Sequence, residues 1–199
     1  MKIIFHPHDE RGGGDYGWLK TKYSFSFNTW YDESKMGFGA LRVLNDDVIA
    51  AGKGFGYHGH RDMEIITIVM KGAVSHQDSM GNKYVVNEGD VQVMSAGTGV
   101  MHAESNATED TPLELFQIWI EPKEYSIKPQ YKQKHYDFTR IKNKSVELVG
   151  ASSLAINQDA YITYGSFEKG KEYEYHIKRE GSGAYVFVIS GALRIDGYS

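Results

Sequence analysis

His58 and His60 stand two residues apart in "YHGHR", and His102 and Glu104 repeat that spacing in "MHAES". On an extended strand, residues i and i+2 face the same side with Cα atoms about 6.5–7 Å apart. Two imidazoles so placed can reach one ion at metal–nitrogen distances of about 2.0–2.1 Å. If the two segments are neighbouring strands with these faces inward, three imidazoles and one carboxylate converge on a single point. That donor set suits Fe, Mn, Co, Ni, Cu or Zn, and the spacing does not choose among them. Four protein ligands leave positions at which a substrate or O2 can bind the ion. Gly59, between the first two histidines, leaves the opposite face of its strand uncrowded.

Other chemistry is thinner on the ground. The chain of 199 residues has no cysteine, which excludes disulfides, Cys-type zinc sites, iron–sulfur clusters and thiol catalysis. A net charge of −4 with 24% charged residues favours neither nucleic acid nor an anionic membrane as a direct partner. "MKIIFHPHDERGGG" carries no cleavage signal and nothing resembles a membrane span, so a soluble cytoplasmic protein is expected. His6 and His8 form another H-x-H pair, but without a second pair they read as surface residues. His135 and His176 are isolated. His76 and Asp78 share one strand face and are expected either at a cavity mouth or on a solvated hairpin. Met94 and Met101 flank the paired ligands and are expected to pack inside the barrel. "GDYGWL" lacks the lysine and following helix of a phosphate loop.

The elements that must position these residues are strands. Glycine is abundant at 22 residues, aromatics reach 13% and proline is scarce at 4, a mixture suited to short strands turning through glycines. "KYSFSF" alternates with Tyr23, Phe25 and Phe27 on one face. A strand is expected around Leu41 to Leu44, ended by a turn at "NDD". "EIITIVMKGAVSHQD" reads as two strands joined at Lys71-Gly72, followed by "YVVN", a turn at "EGD", and "VQVMSA". "GTGV" breaks the pattern before "MHAES", and "LELFQIWIEP" is a long apolar strand. The sum is an all-β sandwich or small barrel. The polar, basic "KEYSIKPQYKQKHYDFTRIKNKS" reads as a crossover with a boundary near residue 135, giving domains 1–134 and 135–199. Beyond it, "LAINQDAYITYGSF", "KEYEYHIKRE" and "AYVFVISGALRID" are again strand-like.

An internal repeat links the halves: "IVMKGAVS" matches "FVISGALR", aligning Gly72 with Gly191. The second copy then has Ile177 and Arg179 where the first has His58 and His60, so no metal is expected there. It also ends before a full barrel is built, so its open edges are expected to be covered by another element or another chain.

The stretch Gly54 to Glu104 resembles both motifs of the cupin superfamily, "HGHRDMEIITIVMKG" and "GDVQVMSAGTGVMHAE". More narrowly, "RGGGDYGWL", "YSFSF", "GFGALRVLNDD" and "QVMSAGTGVMHAE" resemble pirin signatures in the family's order. The resemblance implies a bicupin of two β-barrels, here with the C-terminal barrel incomplete, and metal in the N-terminal barrel only. It places the metal ligands on His58, His60, His102 and Glu104, with iron the typical ion. Gly59 and Tyr23 depart from the proline and histidine common at those positions, without removing a ligand. Glu64 sits where many cupins hold a glutamate ligand, although a hydrogen bond to a ligand histidine is the stronger expectation. The implied activity is a quercetin 2,3-dioxygenase reaction on a flavonol-like aromatic with O2, with Glu104 as general base. A cavity walled by Met, Phe and Val is expected to hold the planar substrate. The alternative is a metal- or redox-responsive regulator acting through a protein partner or as a homodimer.

Overall fold

The computed structural model describes residues 3–195. Its elements in chain order are β1 (Gly12–Asp15), β2 (Leu19–Tyr23), β3 (Leu41–Ile49), β4 (Gly54–His60), β5 (Glu64–Lys71), β6 (Ala73–Asp78) and β7 (Lys83–Asn87). They continue with β8 (Asp90–Ser95), β9 (Val100–Asn106), β10 (Leu113–Ile120), β11 (Gln130–His135), β12 (Lys144–Val149) and β13 (Ile162–Ser166). Apart from strands there are only two 3-10 turns among the described residues. A seven-stranded antiparallel sheet runs β1-β2-β3-β10-β5-β8-β11, and a four-stranded sheet runs β4-β9-β6-β7. A third sheet is the pair β12-β13. Among the described residues none of the sheets closes on itself, and no helix is long and apolar enough to cross a membrane.

The near-continuous apolar runs of β5 and β8 have a simple cause: the large sheet is covered on both faces. Ile66, Ile68, Val91, Val93, Phe116 and Ile118 point outward into a core completed by Leu148, Val149 and Leu154 from the C-terminal part. On the other face, Ile65, Met94 and Val100 pack together with Trp119 against them. Each such side chain removed from water contributes roughly 1.5–3 kcal/mol.

One row on that inner face is polar across six of the seven strands. Register pairs Tyr23 with Asn45, Asn45 with Gln117, Gln117 with Thr67, Thr67 with Gln92, and Gln92 with Gln133. This row corrects the expected turn at "NDD": β3 runs straight through it, because β2 and β10 pair with it on either side. Asn45 and Asp47 point inward and are buried, while Asp46 on the opposite face meets Arg11. Two further expectations are corrected. The alternating "KYSFSF" leaves the ladder at Tyr23, yet Phe25 is still buried and Tyr23 and Phe27 keep an edge-to-face contact.

The larger correction is C-terminal. "KEYEYHIKRE" and "AYVFVIS" form no strand. With no neighbouring strand to take their backbone groups, the second lies over the core through alternate side chains. Tyr185 and Phe187 pack on Phe25 and Phe116, while Val186 and Val188 face outward. The open face of the first sheet is therefore covered by the chain's own residues.

Asp47 gives this wall a pH signature. Burial raises its carboxyl from 3.8 to about 6, only partly opposed by the Thr21 hydroxyl that donates to it. The folded chain therefore holds a proton that the unfolded chain releases across that interval, and stability falls as pH rises from about 4 to about 6. Asp47→Asn, which still accepts from Thr21, is expected to remove this slope and to gain about 1–3 kcal/mol at pH 7. Urea unfolding of the metal-free proteins at pH 4 and 7 measures it; parallel behaviour at both pH values would contradict the assignment.

Candidate metal centre

β4 and β9 are antiparallel neighbours, and their register sets His58 directly opposite His102. A shift between Phe55 and His58 marks a bulge in β4, a device that re-aims the side chains that follow. Gly54 sits where β4 meets β9 most closely, since a Cβ there would lie 2.3 Å from the Ser105 Cα. Gly97, at φ +46° in "AGTGV", turns the chain into β9 against the Ile127 carbonyl. Gly59 pairs normally with Met101, so the departure from proline leaves the ladder intact.

The three imidazoles converge. Ring centroids lie 4.5 Å apart for His58 and His102, 4.8 Å for His58 and His60, and 4.9 Å for His60 and His102. One ligand nitrogen from each falls within 4.8 Å of the others. His58 Nε2 and His102 Nε2 are 3.0 Å apart, the separation that two nitrogens at about 2.1 Å from one ion adopt at a right angle. His58 Nδ1 donates to the Gly56 carbonyl at 2.8 Å, which fixes the tautomer and leaves Nε2 as the free lone pair. Burial, reinforced by the neighbouring imidazoles, lowers His60 to about 4. His102 is likewise held at about 4, burial again leading. Both are neutral near pH 7, which is the ligating form. The donor set fits a transition-metal ion.

Glu104 lies one layer deeper. It does not fall within the three-histidine group but joins a second one with His76 and His102. Burial alone would raise its carboxyl, but contacts from His76, His102 and Gln92 outweigh it and hold the group at about 2. Gln92 Nε2 donates to Oε1 at 2.6 Å and Gln117 Nε2 donates to Oε2 at 3.0 Å. His76 Nδ1 is 3.6 Å from Oε1, an electrostatic contact rather than a hydrogen bond. His76 and Asp78 are buried within the sandwich and bonded to each other at 3.1 Å, so they do not lie on a solvated hairpin, while His76 also borders an open pocket of about 220 Å³ with Lys83 and Tyr84. Opposed by burial, the carboxylates of Glu104 and Asp78 nevertheless raise the His76 imidazole.

Other expectations resolve differently. Among the described residues Glu64 makes no hydrogen bond to a candidate ligand histidine: it accepts from Ser95 at 2.7 Å and from the Asn157 backbone at 3.1 Å. Met94 is buried as expected, but Met101 is 45% exposed on the outer face, since it alternates with His102. The expected substrate cavity is corrected: the space beside Glu104, bounded by Phe55, Val74, Leu115 and Gln117 with no methionine in its walls, is about 10 Å³, room for a water and not for a planar ring. Sequence reading passed over Thr67, Gln92, Gln117 and Trp119. Their signal was a lone polar or bulky residue inside an apolar strand, at a position whose parity points inward. Trp119 stands edge-on to His60 at 5.0 Å.

Facing antiparallel sheets with convergent histidines on adjacent strands define a cupin-type metal-binding protein. The pirin family model matches residues 5–120, and a quercetinase C-terminal cupin domain model matches residues 149–199. The chain belongs to the pirin family. It is 44% identical over 198 residues to the quercetin 2,3-dioxygenase of Escherichia coli (strain K12), covering 98% of this chain and 84% of that one. It is 43% identical over 196 residues to the pirin-like protein of Caulobacter vibrioides, covering 96% and 84%. Among solved structures it is similar to the bacterial pirin YhhW from Escherichia coli in complex with nickel(II). That match has a TM-score of 0.74 and 46% identity, and covers 78% of this chain and 68% of that one.

Proposed function

We propose that the chain is a metal-dependent dioxygenase of the quercetin 2,3-dioxygenase type, opening a flavonol ring with O2 and releasing carbon monoxide. The observation that carries this reading is the convergence of three imidazoles beside a buried, ionised carboxylate. The 44% identical relative of that name supports the substrate class. His58, His60, His102 and Glu104 are the proposed ligands, and iron is the proposed ion. Such an ion would supply Lewis acidity toward the flavonol 3-hydroxyl and the redox chemistry that O2 requires. Glu104, ionised near neutral pH, is the proposed acceptor of the 3-hydroxyl proton, on a lone pair that the two amides leave open. Trp119, edge-on to His60, provides an apolar wall for a planar ring. In this reading residues 1–134 form the metal-binding domain and 135–199 a domain without ligands, with β11 straddling the boundary.

Metal analysis of protein purified without chelators, followed by O2 uptake with quercetin, tests the proposal. The expected result is one metal per chain and O2 consumption with carbon monoxide release. Metal uptake without O2 consumption would overturn the enzyme and favour a metal-responsive binding protein.

A further inference from the structure

Glu104 is not simply buried; it is braced. Ionised, it can only accept hydrogen bonds, so both neighbouring amides must turn their N–H groups toward it. Their oxygens must then face donors. Gln117 Oε1 accepts from Thr67 Oγ1 at 3.2 Å, and Gln92 Oε1 accepts from Tyr131 Oη at 3.1 Å. Tyr131 Oη also lies 2.7 Å from Gln133 Oε1. Gln133 is exposed and can turn its amide over, whereas Gln92 is fully buried with no other donor to its oxygen among the described residues. The single tyrosine proton is therefore assigned to Gln92. Thr67 Oγ1 accepts from Gln92 Nε2 at 3.3 Å and lies 3.4 Å from Glu104 Oε1, so its one proton is assigned to the nearer Gln117 oxygen and the hydroxyl links the two amides.

We infer that Tyr131–Gln92 and Thr67–Gln117 are two positioning struts that fix the carboxylate plane of Glu104 relative to the three histidines. Each strut grips one oxygen: Gln92 holds Oε1 and Gln117 holds Oε2. A carboxylate gripped at both ends cannot rotate about its last bond, so only the remaining lone-pair directions are open to an ion. The in-register polar row across the large sheet supplies both amides and Thr67, and β11 supplies Tyr131. Tyr131 thus acts on the centre without touching any proposed ligand oxygen. The inference rests on the reading of Glu104 as a metal ligand.

The test uses the full chain with Ni(II) as probe, measuring Kd by competition with a chromophoric chelator at fixed pH. The d–d absorption of the loaded protein is recorded alongside. Gln92→Met and Gln117→Met are each expected to weaken Ni(II) binding about tenfold, with a shifted absorption band. Tyr131→Phe is expected to weaken it by a factor of about 3. Adding Tyr131→Phe to Gln92→Met should cause no further loss, because the tyrosine acts only through that amide. Wild-type Kd and spectrum in all three single variants, or full additivity in the double variant, would overturn the struts. If a buried methionine variant fails to fold, the half-buried Tyr131→Phe decides by the same two readouts. A wild-type chain that takes up no Ni(II) would overturn both this inference and the proposed function. Uptake without flavonol turnover would overturn the function alone.

Discussion

Glu104→Gln is expected to keep metal binding within about tenfold of wild type while lowering flavonol turnover about 10²–10⁴-fold. The geometry explains why the two readouts part. Glutamine has one oxygen with which to face an ion, but it cannot take a proton near neutral pH. Its amide nitrogen must also meet the N–H of either Gln92 or Gln117, both of which now donate to the carboxylate. Two donors facing each other in a buried site cost roughly 1–3 kcal/mol, which is the source of the modest affinity loss. Turnover is measured by O2 uptake with quercetin in protein loaded to equal metal content. Unchanged turnover would remove Glu104 from the proton-accepting role, whatever its effect on affinity.

The candidate ligands were legible because period-2 spacing on a strand is a rigid geometric statement. H-x-H and H-x-E admit one face each, and the register then set His58 against His102. The bracing around Glu104 was not legible in the same way. Thr67, Gln92 and Gln117 lie on three strands far apart in the chain, and only cross-strand pairing aligns them. "NDD" carries turn-forming residue types, but two flanking strands take up its backbone groups. There Asn45 and Asp47 serve the buried polar row rather than a turn. "AYVFVIS" is the opposite case. Strand propensity has effect only where a partner edge exists, and the segment instead packs Tyr185 and Phe187 on the core with no ladder. The repeat was thus visible in residue types, while its partner strands lay outside what the residue pattern could supply.

His102→Ala is expected to empty the centre more completely than His58→Ala or His60→Ala. His102 is the histidine common to both clusters of candidate ligands. It is 1% exposed and faces His58 across the ladder, and its ring lies 5.5 Å from that of His76. His58 and His60 share a strand with a bulge and stand nearer solvent, where a water can replace a lost imidazole. At position 102 the methyl group of alanine leaves a buried gap between the two sheets. Loss of a direct ligand exceeds the 10–100-fold typical of an outer partner, so Ni(II) affinity should fall by more than about hundredfold. At a Ni(II) concentration near 100 times the wild-type Kd, that change removes most of the roughly 2.7 kcal/mol by which the ion stabilises the fold. Urea unfolding with and without Ni(II) reads the effect independently of turnover. Wild-type protein should gain stability with the ion, and the variant should gain almost none. An equal gain in both would mean that the ion binds elsewhere. Arg179, the counterpart of His60 in the second repeat as Ile177 is of His58, pairs with Asp159 at 2.6 Å.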